Sequence, residues 1–138
     1  MIGRYTLAEI GEVFTDRSRM EAWLEVEILT VEALAALGRI PAADAAFVRA
    51  NRPVVDDEFV AAVEERERTT NHDLAAFVDV VQARVGKPAG NWVHYGLTSS
   101  DVVDTALSLL LRRAGKAILC ELAGAIEAVG IRAAEFRN

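Results

Sequence analysis

A single long helix pattern, from Asp101 to Phe136, constrains the fold more than any other feature of the sequence. Its apolar residues recur at helical spacing, and at about 1.5 Å per residue the helix would extend over roughly 50 Å. A helix this long and apolar needs other helices around it, so we predict that it lies at the centre of a helical bundle. Its main stripe comprises Leu107, Leu110, Ala114, Ala117, Ile118, Leu122, Ala125, Ile126 and Val129.

Shorter helix patterns precede the long one, and polar or proline-containing breaks separate them. One of them carries apolar residues from Met20 to Ala35 and stops at Gly38, a typical helix end. No stretch alternates as a strand would. We therefore predict an all-α fold, with a small N-terminal helical domain at 1–95 and the start of a central helical-bundle domain at 96–138.

Composition limits the possible partners. The chain has 138 residues and a formal net charge of −6, which argues against nucleic acid or an anionic membrane as a partner. The first residues carry no basic-then-apolar signal pattern, and no apolar run is long enough to span a bilayer. The only cysteine, Cys120, falls within the long helix pattern and is expected to be a buried thiol in a reducing cytoplasm.

Three consecutive hydroxyl residues, Thr98, Ser99 and Ser100, stand directly before the long helix. Together with the free N–H groups and partial positive charge of a helix start, they favour a carboxylate or phosphate ligand, and Gly96 allows the sharp turn that would present them. An alternative is structural, since Thr98 and Asp101 also fit a capping box.

Both histidines, His72 and His94, lie beside polar helix starts. With a pKa near its usual value of about 6.5, an imidazole can donate to an anion or relay a proton at neutral pH, although helix capping is the ordinary role there. Neither histidine has a second His or Cys one helical turn away, so we expect no zinc site. The acids Asp56, Asp57 and Glu58 point to different sides of a helix, which argues against a metal there too.

Near the start of the chain, Arg4 and Tyr5 form a pair that could hold a phosphate through the guanidinium fork and the ring. A solvated arginine beside a half-buried tyrosine is the structural alternative.

The run GLTSSDVVDTA, residues 96–106, closely resembles the first signature stretch of the adenylosuccinate lyase family, within the fumarase/aspartase superfamily. The Arg4-Tyr5 pair and the His72-Asp73 pair add to the resemblance, which covers the whole chain. Related cycloisomerases look similar in the TS-x-D-V-x-D-T-A core alone. Members of the family are several times longer, so the resemblance implies an amino-terminal fragment.

The resemblance implies a reaction, the elimination of fumarate from adenylosuccinate to give AMP, and the parallel cleavage of a succinyl-carboxamide nucleotide in purine biosynthesis. It also implies that no metal or organic cofactor is needed, and that the complete protein is a cytoplasmic homotetramer. Thr98 and Ser99 would hold a carboxylate of the succinyl group, and His94 would lie near the phosphate. His72 would assist near the leaving nitrogen, together with Asp73.

The same resemblance assigns the nucleotide to Arg4 and Tyr5. Asn71 would also contact substrate, but it stands where the family has a basic residue, so one positive charge is missing. The family's principal acid histidine and its serine base belong to later stretches that these 138 residues do not contain. We therefore expect this chain to hold part of a substrate site and not to turn over alone.

Two alternatives remain open from the sequence. One is another lyase or cycloisomerase of the same superfamily, with a similar helix start. The other is a non-enzymatic helical oligomerisation module, in which the wide apolar stripe of the long helix only mediates association.

Overall fold

The computed structural model describes residues 3–137, and every regular element in that range is helical, which confirms the predicted all-α class. None of the described helices combines the length and hydropathy needed to cross a membrane. Short 3₁₀ turns lie at Gly3–Tyr5, Glu12–Phe14 and Ala89–Trp92. The α-helices of the described range are α1 (Ala8–Gly11), α2 (Asp16–Ala36), α3 (Ala42–Ala50), α4 (Asp57–Thr70), α5 (Asp73–Val85) and α6 (Ser99–Glu135).

Local residue chemistry explains most of the helix boundaries. Helix α4 begins after Asp56, whose Oδ1 accepts a hydrogen bond from the backbone N–H of Phe59 at 2.9 Å. Helix α2 ends before Gly38, which adopts the left-handed region with a φ of 67°. The Asp56 cap and the Gly38 turn act over only a few residues, so the positions of these helix ends can be recognised in the sequence.

Three aromatic side chains join α2, α4 and α5 at the centre of the core. The ring of Phe77 lies edge-on to Trp23 at 5.4 Å and to Phe59 at 5.9 Å, measured between ring centroids. Such edge-to-face pairs stabilise a core beyond the burial of their area. Because all three side chains are almost completely buried, they fix the position of α5, whose first residues belong to the candidate site.

Helix α6 has 37 residues, from Ser99 to Glu135, close to the span from Asp101 to Phe136 that its sequence pattern predicted, but its two halves differ in packing. The first half packs against α2, and it buries Val102, Ala106, Leu110 and Ala114. From Ile118 to Arg137 every side chain is exposed. The prediction of a buried Cys120 was wrong, because this thiol lies on the half of α6 whose side chains are all exposed. Since the first half shares the core of the shorter helices, the division at residues 95 and 96 stays a prediction.

Candidate substrate-binding site

The amino-terminal ends of α5 and α6 meet at one place on the surface. The Nε2 atom of His72, at the start of α5, lies 3.3 Å from the Oγ atom of Ser99, the first residue of α6. Each helix start has a partial positive charge from its aligned peptide dipoles. Two such starts with a hydroxyl and an imidazole between them form a surface suited to an anionic group. We call this pair of helix ends, residues 72–75 and 98–101, the two-helix site.

The α6 end of the two-helix site is built by a capping box. Asp101 accepts a hydrogen bond from the backbone N–H of Thr98 at 2.8 Å, and the Thr98 side chain binds the backbone N–H of Asp101 in return. Gly96, with a φ of 78°, turns the chain into this position. The capping alternative is thus realised by Thr98, whereas Ser99 and Ser100 are left with backbone N–H groups that no acceptor within residues 3–137 takes up.

At the α5 end, His72 is both a cap and a contact group. Its Nδ1 accepts a hydrogen bond from the backbone N–H of Ala75 at 3.3 Å. In the neutral ring, the hydrogen therefore resides on Nε2 and is donated to Ser99. The Ser99 hydroxyl accepts that bond and keeps its own hydrogen for a ligand. Asp73 stays close, with its Oδ1 at 3.4 Å from Nδ1 of His72.

The backbone conformation at position 71 favours asparagine. It closes α4 in the left-handed region, with a φ of 51°, and its backbone N–H donates to the carbonyl of Glu67 at 2.8 Å. Asparagine tolerates this conformation better than most residues other than glycine, and lysine or arginine would be more strained. The contact between Asn71 and substrate stays a prediction.

His94 is held by a residue that the sequence did not single out, Glu27 of α2. Oε2 of Glu27 accepts a hydrogen bond from the His94 backbone N–H at 2.7 Å, and Oε1 lies 2.6 Å from His94 Nδ1. Burial raises the pKa of Glu27, and the hydrogen bonds and charge of His94 lower it in part. A sequence signal existed: Glu27 lies four residues after Trp23 and four before Val31, in the register of the buried stripe.

Within this chain, Arg4 and Tyr5 lie away from the two-helix site. The guanidinium carbon of Arg4 lies 4.8 Å from the ring centroid of Tyr5, and both side chains are exposed. The adjacent α1 packs against α6, and a cavity of about 400 Å³ between them is lined by Leu7, Glu9, Ile10, Ala117, Ile118, Cys120 and Glu121. Residue 117 is roughly 27 Å along α6 from Ser99. The structure therefore brings His72, Asp73, Thr98 and Ser99 together, and it does not bring Arg4 and Tyr5 to them.

Within the described residues, no group of three or more His, Cys, Asp or Glu side chains is arranged to hold a metal ion. The donors that the two-helix site offers are hydroxyl, imidazole and backbone N–H groups. Its arrangement therefore fits the binding of a carboxylate or phosphate through hydrogen bonds.

A family model described as Lyase matches residues 3–138, and the chain belongs to this family. Adenylosuccinate lyase of Staphylococcus saprophyticus is 44% identical to it over 137 residues, and that of Bacillus subtilis (strain 168) is 42% identical over 137 residues. The resemblance to adenylosuccinate lyases that the sequence showed is thus confirmed.

A solved structure supports the fold assignment. The crystal structure of fumarate lyase from Mesorhizobium sp. BNC1 is similar, with a TM-score of 0.67 and 28% sequence identity, over 75% of this chain and 24% of that one. The two adenylosuccinate lyases are each matched over 99% of this chain, which spans only 31% of their length.

Proposed function

We propose that this chain supplies part of the substrate site of an enzyme that eliminates fumarate from adenylosuccinate, and from the related succinyl-carboxamide nucleotide of purine biosynthesis. The observation that carries the proposal is the contact between His72 and Ser99, where the starts of α5 and α6 meet. The identity of 42–44% to adenylosuccinate lyases supports this substrate over those of other lyases in the superfamily.

The proposed reaction is an anti β-elimination. A base takes a proton from the carbon beside a succinyl carboxylate, the electron pair forms the double bond of fumarate, and the C–N bond breaks while an acid protonates the leaving nitrogen. Negative charge grows on the carboxylate in the transition state, so fixed donors around it lower the barrier. No step of this elimination requires a metal or an organic cofactor.

The proposed roles are assigned to the two-helix site and to His94. The Ser99 hydroxyl and the free N–H groups of the α6 start bind the carboxylate, and Thr98 holds that helix start in place. His72 assists near the leaving nitrogen, with Asp73 beside the ring. His94 binds near the phosphate.

A second copy of the chain is the proposed partner of the exposed half of α6. The apolar residues of this half, from Ile118 to Phe136, remain exposed, and within residues 3–137 the short α1 lies beside the first of them only. Self-association would bury them in the bundle of a homotetramer, and Arg4 and Tyr5 would then secure nucleotide at the two-helix site of another copy. A cytoplasmic location is part of the same proposal.

The proposed carboxylate contact is tested by titrating the chain calorimetrically with succinate, AMP and adenylosuccinate. The Ser99→Ala variant is expected to bind succinate and adenylosuccinate about tenfold more weakly, because a hydrogen bond to a charged group contributes about 1.5 kcal/mol. AMP has no succinyl carboxylate, so its affinity should stay the same. The free energy of unfolding should change by less than about 0.5 kcal/mol, since Thr98 caps the helix.

Ser108→Ala is the matched control. It removes a hydroxyl from the same helix, one that bonds only to the carbonyl of Asp104 at 2.9 Å, and it should leave all three affinities unchanged. If the wild-type chain binds none of the three ligands, the non-enzymatic oligomerisation module is the better account. A preference for a different succinylated or cyclic substrate would favour another lyase or a cycloisomerase.

A separate prediction concerns turnover. The purified 138-residue chain, given adenylosuccinate, is expected to release no AMP or fumarate at a steady rate, because the resemblance assigns the principal acid and base to stretches absent from this sequence. Fumarate absorbance and chromatography of AMP measure it, with Bacillus subtilis adenylosuccinate lyase as a positive control. Steady turnover would contradict the assignment of those two groups.

A further inference from the structure

Glu27 and His94 form an unusual buried pair. Glu27 is 0% exposed and is the only charged residue in the buried set of the described chain. Burying a carboxylate is unfavourable unless its oxygens are hydrogen-bonded and its charge is compensated. Both oxygens are used, and both by the same residue, His94, which lies 67 positions further along the chain.

The backbone of His94 is also unfavourable by itself. Its φ of 67° lies in the left-handed region, where the side chain of a non-glycine residue comes too close to the backbone. Such a conformation persists only where the surroundings enforce it, and these cases cluster at functional sites. Here the Glu27 carboxylate enforces it, by accepting from the backbone N–H and from the ring of the same residue.

The contacts with Glu27 fix the orientation of the His94 ring. Nδ1 is directed at the buried carboxylate, while about a quarter of the side chain, 25%, remains exposed to solvent. No residue in the described part of the chain forms a hydrogen bond to Nε2. His94 also opens the turn that leads to the α6 start, since its carbonyl accepts from the N–H of Leu97 at 3.4 Å.

We propose that Glu27 is a positioning residue for the substrate site, which holds the left-handed backbone of His94 and its Nδ1 hydrogen so that Nε2 binds a phosphate group of the ligand. This inference rests on the proposed function and deepens it. A phosphate dianion only accepts hydrogen bonds, so His94 must then carry hydrogens on both ring nitrogens. The buried carboxylate compensates the resulting positive charge.

The test compares Glu27→Gln with the wild-type chain by two measurements. The two N–H groups of His94 contact different oxygens of Glu27, and a glutamine in the same position replaces one of those oxygens with an NH₂ donor, so only one of the two contacts can persist. Long-range ¹H–¹⁵N NMR should show the neutral His94 ring protonated at Nδ1 in the wild type, and that state should be lost in the variant. AMP affinity should fall about tenfold, while the affinity for adenosine, which lacks the phosphate, should not change.

Controls separate positioning from a purely structural role. Glu32→Gln removes another carboxylate of α2, one bonded to Arg49, and should alter neither readout. Adding Glu27→Gln to His94→Asn should reduce AMP affinity no further than His94→Asn does, because Glu27 acts only through His94. If Glu27→Gln does not fold, Glu27→Leu replaces it; an apolar side chain is often tolerated in place of a buried charge, and it should lose the preference for AMP over adenosine equally.

Three results would overturn the inference: an unchanged His94 tautomer in a folded Glu27 variant, an unchanged ratio of AMP to adenosine affinity, or full additivity in the double variant. Failure of the proposed function looks different. If the wild-type chain binds no AMP, the phosphate assignment falls with that function, and the tautomer measurement still decides whether Glu27 positions His94.

Discussion

Replacing Phe77 with alanine is expected to lower the free energy of unfolding by about 3–5 kcal/mol. Phe77 is 0% exposed and forms T-shaped ring contacts with Trp23 of α2 and Phe59 of α4. The substitution would leave a cavity between three helices and remove both aromatic pairs. Because α5 carries His72 at its start, the loss should also weaken ligand binding at the two-helix site. Chemical denaturation followed by circular dichroism measures the stability.

Phe47→Ala is the control for this prediction. It removes the same side chain from α3, but Phe47 is 49% exposed, so the expected loss is within about 1 kcal/mol. Equal losses for the two variants would show that the aromatic cluster does not organise the core. A large loss for Phe47 alone would show that its exposed ring is covered by another copy of the chain.

Placing aspartates at Leu122 and Ile126 is expected to dissociate the chain to monomers. Both side chains are exposed on one side of the outer half of α6, and in the proposed bundle they are buried against another copy. A charge in an apolar interface without a partner costs several kcal/mol, enough to shift a self-association equilibrium by orders of magnitude. Sedimentation velocity over a range of concentrations measures the mass of the wild type and of the variant.

Lys116→Asp is the matched control, because it changes the net charge by the same −2 and lies about 120° around the helix from Leu122. Its mass distribution should equal that of the wild type. The proposal of self-association through this surface fails if the wild type is monomeric throughout the range, or if the double aspartate variant keeps the wild-type mass.

The helices and their ends are the part of this protein that the sequence determined. Asp56, Gly38 and the Thr98–Asp101 pair act through hydrogen bonds and backbone conformations within a few residues of themselves, so their effects can be read locally. The apolar stripe of α6 is also a local feature, because the spacing of its residues along the sequence predicts a long helix without reference to packing. The hydroxyl-rich start of α6 and its family resemblance belong to this local level too.

Tertiary structure alone decided which of these local features meet. Ser99 reaches His72 across 27 positions and His94 reaches Glu27 across 67, and such pairings depend on how α2, α5 and α6 pack. Packing likewise left Cys120 exposed, since hydrophobic periodicity identifies the face of a helix that can be buried, and not the length over which a partner covers it. Glu27 shows the same limit: a carboxylate within an apolar stripe can be recognised in a sequence, but its partner is found only when distant helices are brought together.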